Sequence, residues 1–189
     1  MINKGGKKMN YVILIGSPLR PSRSDSIAGF LKKQLETKGH QAEVISIRDL
    51  PAEDVYYADF HSSAVQNYQQ LIEKSDGLIV ISPVYKASIP GALKAFIDLL
   101  PMDILKGKPV FPIMVGGTMS HLLTIEFVLN PLLSVIGATQ IARGVYIHDP
   151  LVQIKDNGEV SIDPDIQERL QNSLVEFVGF SQSYTKPAE

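Results

Sequence analysis

The strongest constraint on the fold is a repeated alternation of short apolar runs with helix-period patterns. The runs YVILIG (11–16), AEVISI (42–47), GLIVIS (77–82) and PVFPIMV (109–115) are rich in β-branched residues. Three of them lack the polar alternation of a half-exposed strand, so they read as strands covered on both faces of a parallel sheet. A fifth strand is predicted within ATQIARGVYI (138–147). Between the strands, Ile27, Phe30, Leu31 and Leu35 recur at helical spacing and stop near Lys38-Gly39. Ala64, Val65, Tyr68, Leu71 and Ile72 form a second helical stripe, and Leu93, Phe96, Ile97 and Leu100 a third behind Pro90. A fourth runs from Leu122 to Ile136 with Pro131 inside it, which predicts a kink or break. Ile166, Leu170, Leu174 and Phe177 predict a C-terminal helix. The prolines of PVFPIMV belong at or near the strand's ends, or mark an irregularity.

Strand, helix, strand in strict alternation implies a three-layer α/β sandwich with helices on both faces of a parallel sheet. Five strands favour the flavodoxin-like order 2-1-3-4-5. No repeat or linker divides the chain, so one domain over 1–189 is expected. Residues 1–9 are read as a flexible N-terminal extension or an added segment. In such sheets a ligand sits beyond the carboxyl ends of the strands, where strands 1 and 3 diverge. The loops after Gly16, Ser82 and Val115 are therefore the ones that can carry a site.

Composition narrows the chemistry. A net charge of −2 gives no pull toward nucleic acid or an anionic membrane surface. The chain has no cysteine, which removes disulfides, thiol redox chemistry, iron–sulfur clusters and thiolate zinc. No apolar run approaches the roughly 20 residues of a membrane helix, and no secretory signal opens the chain, so a cytoplasmic protein is expected. The four histidines are scattered without metal spacing, and no metal site is assigned.

The first loop, GSPLRPSRSDS, gathers hydroxyls and guanidinium groups at the start of a helix. Unpaired N–H groups, hydroxyls and cations together suit a phosphate. Ser22 and Asp25 also fit a capping box, so individual hydroxyls can serve the helix instead. The loop matches neither the G-x-G-x-x-G nor the G-x-x-x-x-G-K-[ST] pattern, so a terminal monophosphate such as that of FMN fits better than a pyrophosphate. Asp25 is dissonant there, since its charge repels phosphate; it is expected to cap the helix or point away. In the second loop, SPVYKASIPG, a planar heterocycle at the switch point would be flanked by Tyr85 or by the backbone of Pro83–Tyr85. In the third, Gly116-Gly117 permits close approach of main chain to a ring, and Thr118 and Ser120 can cap the next helix.

Taken in order, GSPLRPSRSDS, DGLIVISPVYKASIPGALKAFIDLLP and GGTMSHLL resemble the NADPH-dependent FMN reductase family, and especially the flavin reductases of two-component alkanesulfonate monooxygenase systems. The resemblance runs from about Tyr11 to beyond Gly144. It implies hydride transfer from NADPH or NADH to FMN, a homo-oligomer (dimer or tetramer), and a partner monooxygenase that consumes the reduced flavin. It implies that Ser17, Arg23, Ser24 and Ser26 hold the FMN phosphate, that Pro83, Val84, Tyr85 and Lys86 contact the ring, and that Gly116, Gly117 and Thr118 lie on its other flank. Lys86 or Arg20 is a candidate for the 2′-phosphate of NADPH. Phe127 stands where alkanesulfonate-type reductases often carry a tyrosine, in a region that the subgroup links to a helical irregularity at a subunit interface. Because flavin and nicotinamide carry the chemistry themselves, no catalytic side chain is assigned.

Overall fold

A computed structural model describes residues 7–155 and 160–183. The apolar runs become β1 (Asn10–Ile15), β2 (Gln41–Ser46), β3 (Gly77–Pro83) and β4 (Pro109–Gly116). All eight residues of β4 and all but the first of β1 are buried, as strands covered on both faces must be. With β5 (Gln140–Ile141) they pair in parallel in the order β2-β1-β3-β4-β5, the flavodoxin-like arrangement that the alternation predicts. One face packs Ile27, Leu31 and Leu35 of α1 (Arg23–Thr37) with Leu170, Leu174 and Phe177 of α6 (Pro164–Ser183). The other packs Val65 and Ile72 of α3 (Ser63–Lys74) with Leu93, Phe96 and Ile97 of α4 (Gly91–Asp98). A short α2 (Ala52–Tyr56) lies in the connection after β2, where no helix was expected.

The fifth strand differs from the expectation. It is two pieces, β5 (Gln140–Ile141) and β6 (Val145–His148), both parallel to β4. Pro112 explains the break. The Val110 carbonyl accepts from the Ala142 N–H (2.8 Å), so even-numbered residues of β4 aim their backbone groups at this outer edge. Pro112 faces the same way without an N–H to give, and it falls in the gap between the two pieces. A hairpin of β7 (Val152–Ile154) and β8 (Val160–Ile162), which the apolar pattern does not reveal, comes next.

The segment around Pro131 departs from the break expected at the proline, while the region of Phe127 carries a helical irregularity of the kind that the resemblance implies. No break occurs at the proline; the irregularity precedes it as a π-helical turn over Ile125–Leu129, closed by the Asn130 N–H on the Ile125 carbonyl. The regular helix α5 (Asn130–Val135) starts beyond, with Pro131 in its first turn. A proline there lacks the N–H that an α-helix would direct four residues back, and the wider turn relieves that demand.

Of the expected N-terminal extension, residues 1–6 lie outside the described residues. Met9 is a correction. It is 3% exposed, its N–H donates to His40 Nδ1 (3.3 Å), and its carbonyl accepts from the Gln41 N–H (2.8 Å). It belongs to the core.

Candidate functional site

The parallel sheet delivers the ends of β1, β3 and β4 to one rim, and the turns beyond them enclose a groove of about 200 Å³. Ser17, Arg23 and Ser24 line one end of it, and Pro83, Val84, Tyr85, Gly116 and Gly117 line the rest. The Val84 N–H donates to the Val115 carbonyl (2.8 Å), which ties the second turn to the third.

At the first end the helix start is built locally. Ser22 caps α1: its Oγ accepts from the Asp25 N–H (3.2 Å), and the Asp25 carboxylate accepts from the Ser22 N–H (2.8 Å) and hydroxyl (2.6 Å). The capping reading of Ser22 and Asp25 therefore holds, and it leaves Ser17 and Ser24 uncommitted. Each is 2% exposed. Ser17 Oγ accepts from the Leu19 N–H (3.2 Å), and neither hydroxyl donates to a described residue; both serines line the groove, and neither oxygen is among the sealed, partnerless polar atoms of the described residues. The first-turn N–H groups of Arg23 and Ser24 are also without acceptors there. Donors that line a groove in this way are answered by a ligand or by water. A phosphate ester suits this set of donors.

Arg23 lines the same end but is partly spent. Its Nε donates to the carbonyls of Asp149 (2.9 Å) and Val152 (3.0 Å), and Nη1 lies 3.8 Å from Asp149 Oδ2. It thereby anchors the β6–β7 connection to α1.

The second turn is a two-residue hairpin in which Tyr85 and Ser88 exchange N–H···O bonds (2.8 and 3.0 Å). Its central residues, Lys86 (φ 50°) and Ala87 (φ 59°), both occupy the left-handed region usually given to Asn-Gly. Holding two non-glycine residues there stores strain of order 1–3 kcal/mol each. The hairpin presents the half-exposed Tyr85 ring to the groove.

The third turn is held from below by β6. The Tyr146 hydroxyl donates to the Thr118 carbonyl, and His148 Nε2 lies 3.1 Å from the Gly117 carbonyl. Burial, with the Asp149 charge added, pushes the Tyr146 phenol up, so it stays a proton donor. With the carbonyls of Gly117 and Thr118 drawn toward β6, the N–H groups on the far side of those planar peptides point away from it.

The structure brings together eight of the eleven residues assigned from sequence: Ser17, Arg23, Ser24, Pro83, Val84, Tyr85, Gly116 and Gly117. Ser26 lies outside, on a shallow depression beside Ile154 and Lys155. Lys86 is exposed at the tip of its hairpin. Thr118 caps the turn Met119–His121, accepting from the Ser120 N–H (3.2 Å). Arg20 is 71% exposed in its side chain and lies 3.6 Å from Asp49. Sequence reasoning missed Asp149, in the β6–β7 connection, and Ile154, at the end of β7, which close the groove. The one available signal was position: HDPLVQI comes after the last strand of the sheet, at the same carboxyl rim. No cluster of three or more potential metal ligands occurs among the described residues, and no helix there is long and apolar enough to cross a membrane.

Residues 9–150 match the model of the NADPH-dependent FMN reductase family. The chain belongs to that family. It is 38% identical over 169 residues to an FMN reductase (NADPH) of Escherichia coli, covering 89% of this chain and 88% of the relative. An FMN reductase (NADPH) of Pseudomonas putida is 39% identical over 170 residues, covering 89% and 86%. Among solved structures, the apo form of the NADH:FMN oxidoreductase EMOB superposes with a TM-score of 0.77 at 27% identity, covering 95% of this chain and 92% of that one. Membership makes the chain an oxidoreductase whose redox pair is FMN and a reduced nicotinamide nucleotide. The donor set at Ser17 and Ser24 fits the phosphate that distinguishes FMN from riboflavin.

Proposed function

We propose that the groove holds FMN lengthwise, and that the chain reduces it with NADPH or NADH and passes the reduced flavin to a partner monooxygenase in the cytoplasm. On this reading the Ser17 and Ser24 hydroxyls and the first N–H groups of α1 bind the phosphate, with Arg23 beside them. Pro83, Val84 and Tyr85 flank the ring on one side; Gly116 and Gly117 let main chain approach it on the other. Lys86, Ser26 and Thr118, which stand just outside the groove, act at its rim. When bound, FMN supplies the N5 position that takes hydride from the nicotinamide.

The chain's own contribution is placement and charge. A rigid slot turns an encounter of two rings into a near-attack geometry. The outward N–H groups of the Gly117–Thr118 turn are suited to a ring edge that gains negative charge on reduction. The exposed side chains of Leu122 and Leu123, just before the π-helical turn, and of Phe127 within it support a homo-oligomeric interface there, as dimer or tetramer.

The observation that carries this reading is the convergence of Ser17, Ser24 and the acceptor-free first N–H groups of α1 at the end of a groove formed by three strand-end turns. Purification without added flavin, and then NADPH and NADH oxidation with and without FMN, tests it. Oxidation that saturates with added FMN, with the reduced flavin captured by a monooxygenase, is expected. Turnover of quinones or azo dyes on a retained flavin, with none released, would replace the monooxygenase reading.

A further inference from the structure

We infer that Arg48 is a positioning residue for the anionic end of the groove: it cancels the charge of Asp25 and shapes the 17–22 turn, so that the end attracts a phosphate. This role rests on the groove being an FMN site.

Asp25 is a problem for any phosphate cradle at the start of α1. It is locked into the first turn by its bonds with Ser22, so it cannot swing away. An unpaired carboxylate in the turn that offers N–H groups to a dianion opposes binding. Arg48, on the short turn Ile47–Asp49 after β2, closes over it. Its Nη2 bonds Asp25 Oδ1, and its Nη1 lies 3.3 Å from Oδ2. The same Nη1 donates to the Leu19 carbonyl at 2.7 Å, fastening the turn that carries Ser17. Leu19 itself donates its N–H to Ser17 Oγ, so Arg48 and the Ser17 hydroxyl are one residue apart in a bonded chain.

Arg48 is 12% exposed in its side chain and Asp25 28%, so solvent screens the pair weakly. The two neighbouring arginines are otherwise engaged, Arg23 with Asp149 and Arg20 with Asp49. Among the described residues, Arg48 alone forms an ion pair with Asp25. Burial works against ionisation of Asp25, yet the bonds from Arg48 and Ser22 hold its carboxyl below the usual range. The carboxylate is therefore charged at neutral pH and needs its counterion. A purely architectural role for Arg48 would affect any flavin equally; a charge-cancelling role affects only one that carries a phosphate.

The test is a titration of the full chain with FMN and with riboflavin, in the wild type and in Arg48→Met, Arg48→Lys, Asp25→Asn and the double variant Arg48→Met/Asp25→Asn. Arg48→Met is expected to weaken FMN about tenfold more than riboflavin. The double variant recovers most of that preference, because the repelling charge is gone with its counterion. Arg48→Lys recovers part, keeping the charge without the two-pronged grip. Asp25→Asn, which retains Arg48, raises the preference for FMN above that of the wild type. Thermal unfolding of each variant identifies any that does not fold; Asp25→Asn and Arg48→Lys then still decide the matter. Equal loss of both flavins in Arg48→Met, a double variant as poor as the single one, or no gain in Asp25→Asn would overturn the assignment. A wild type that takes up neither flavin would overturn the FMN reading and this inference together, whereas ordinary uptake with an unmoved FMN-to-riboflavin ratio would overturn this one alone.

Discussion

The phenol oxygen of Tyr146 occupies the space in which a side chain on Gly116 would begin. The same oxygen donates to the Thr118 carbonyl, so one tyrosine fixes both ends of the Gly-Gly-Thr turn. Gly116→Ala must therefore displace Tyr146 or the turn, and overpacking of this kind costs about 1–3 kcal/mol. Tyr146→Phe removes the offending oxygen but strands the carbonyl, at about 1 kcal/mol. The double variant is expected to be more stable than the sum of the two losses, a coupling that a cycle of denaturant unfolding measures. Strict additivity would mean that the two positions do not share this space.

Gly117 gives the opposite expectation. A Cβ there meets only Asp149 Oδ2, at 3.8 Å, and the backbone is not left-handed. Gly117→Ala should leave the unfolding free energy within about 1 kcal/mol of wild type, with a gain from the stiffer unfolded chain. Gly117 nevertheless lines the groove, so its new methyl group stands where a ligand ring would lie. FMN affinity is expected to fall severalfold while stability holds. A stable variant with unchanged FMN binding would remove Gly117 from the ring site.

Much of this rim was legible in the sequence because parallel strands carry an unambiguous signal. A strand buried on both faces is apolar throughout, and its end marks where the ligand-facing turn begins. That logic located Ser17, Pro83 to Tyr85 and Gly116-Gly117. It faltered where backbone hydrogen bonding, rather than hydrophobic period, sets the structure. Pro112 splits the outer strand through a missing donor; the proline marks an irregularity in the sequence, but not that it falls on the neighbouring strand. The π-helical turn before Pro131 leaves the apolar positions in place while changing which carbonyl each N–H meets. Asp149 was invisible for a related reason: it reaches the groove through bonds from Arg23, 126 positions away. Long-range polar contacts have no periodicity to read.

The Tyr85–Ser88 hairpin places Ala87 at φ 59°, where its methyl group is strained. Ala87→Gly relieves about 1 kcal/mol of that strain and gives back about as much through the more flexible unfolded chain. The expected stability change is within about 1 kcal/mol of zero. Ala87→Val at the same exposed position should destabilise by more than 1 kcal/mol, as a β-branched residue tolerates this conformation least, at about 1–3 kcal/mol. Thermal unfolding of both variants separates backbone strain from side-chain packing, since the Ala87 side chain is exposed in either case. Equal stability of the glycine and valine variants would mean that this backbone conformation is not held.

The Asp25–Arg48 pair should also be visible in the acid limb of stability. Asp25 has its carboxyl held below the range of about 3.9 that it takes in the unfolded chain. Between the two values the unfolded chain binds the extra proton, so stability rises with pH across that window. Its contribution is thus fully present above about pH 4 and is lost as pH falls through the folded value. Urea unfolding from about pH 6 to about pH 3 should show the wild type losing more stability than Asp25→Asn over the lowest unit. Tyr11 gives the mirror case at the other limb. Burial pushes its phenol up to about 12, so the folded chain holds the proton more tightly. Stability should decline as pH climbs from about 10 toward that value, and Tyr11→Phe should flatten the decline. Acid profiles that run parallel in wild type and Asp25→Asn would show that the carboxyl titrates alike in both states, and that Arg48 does not hold it ionised.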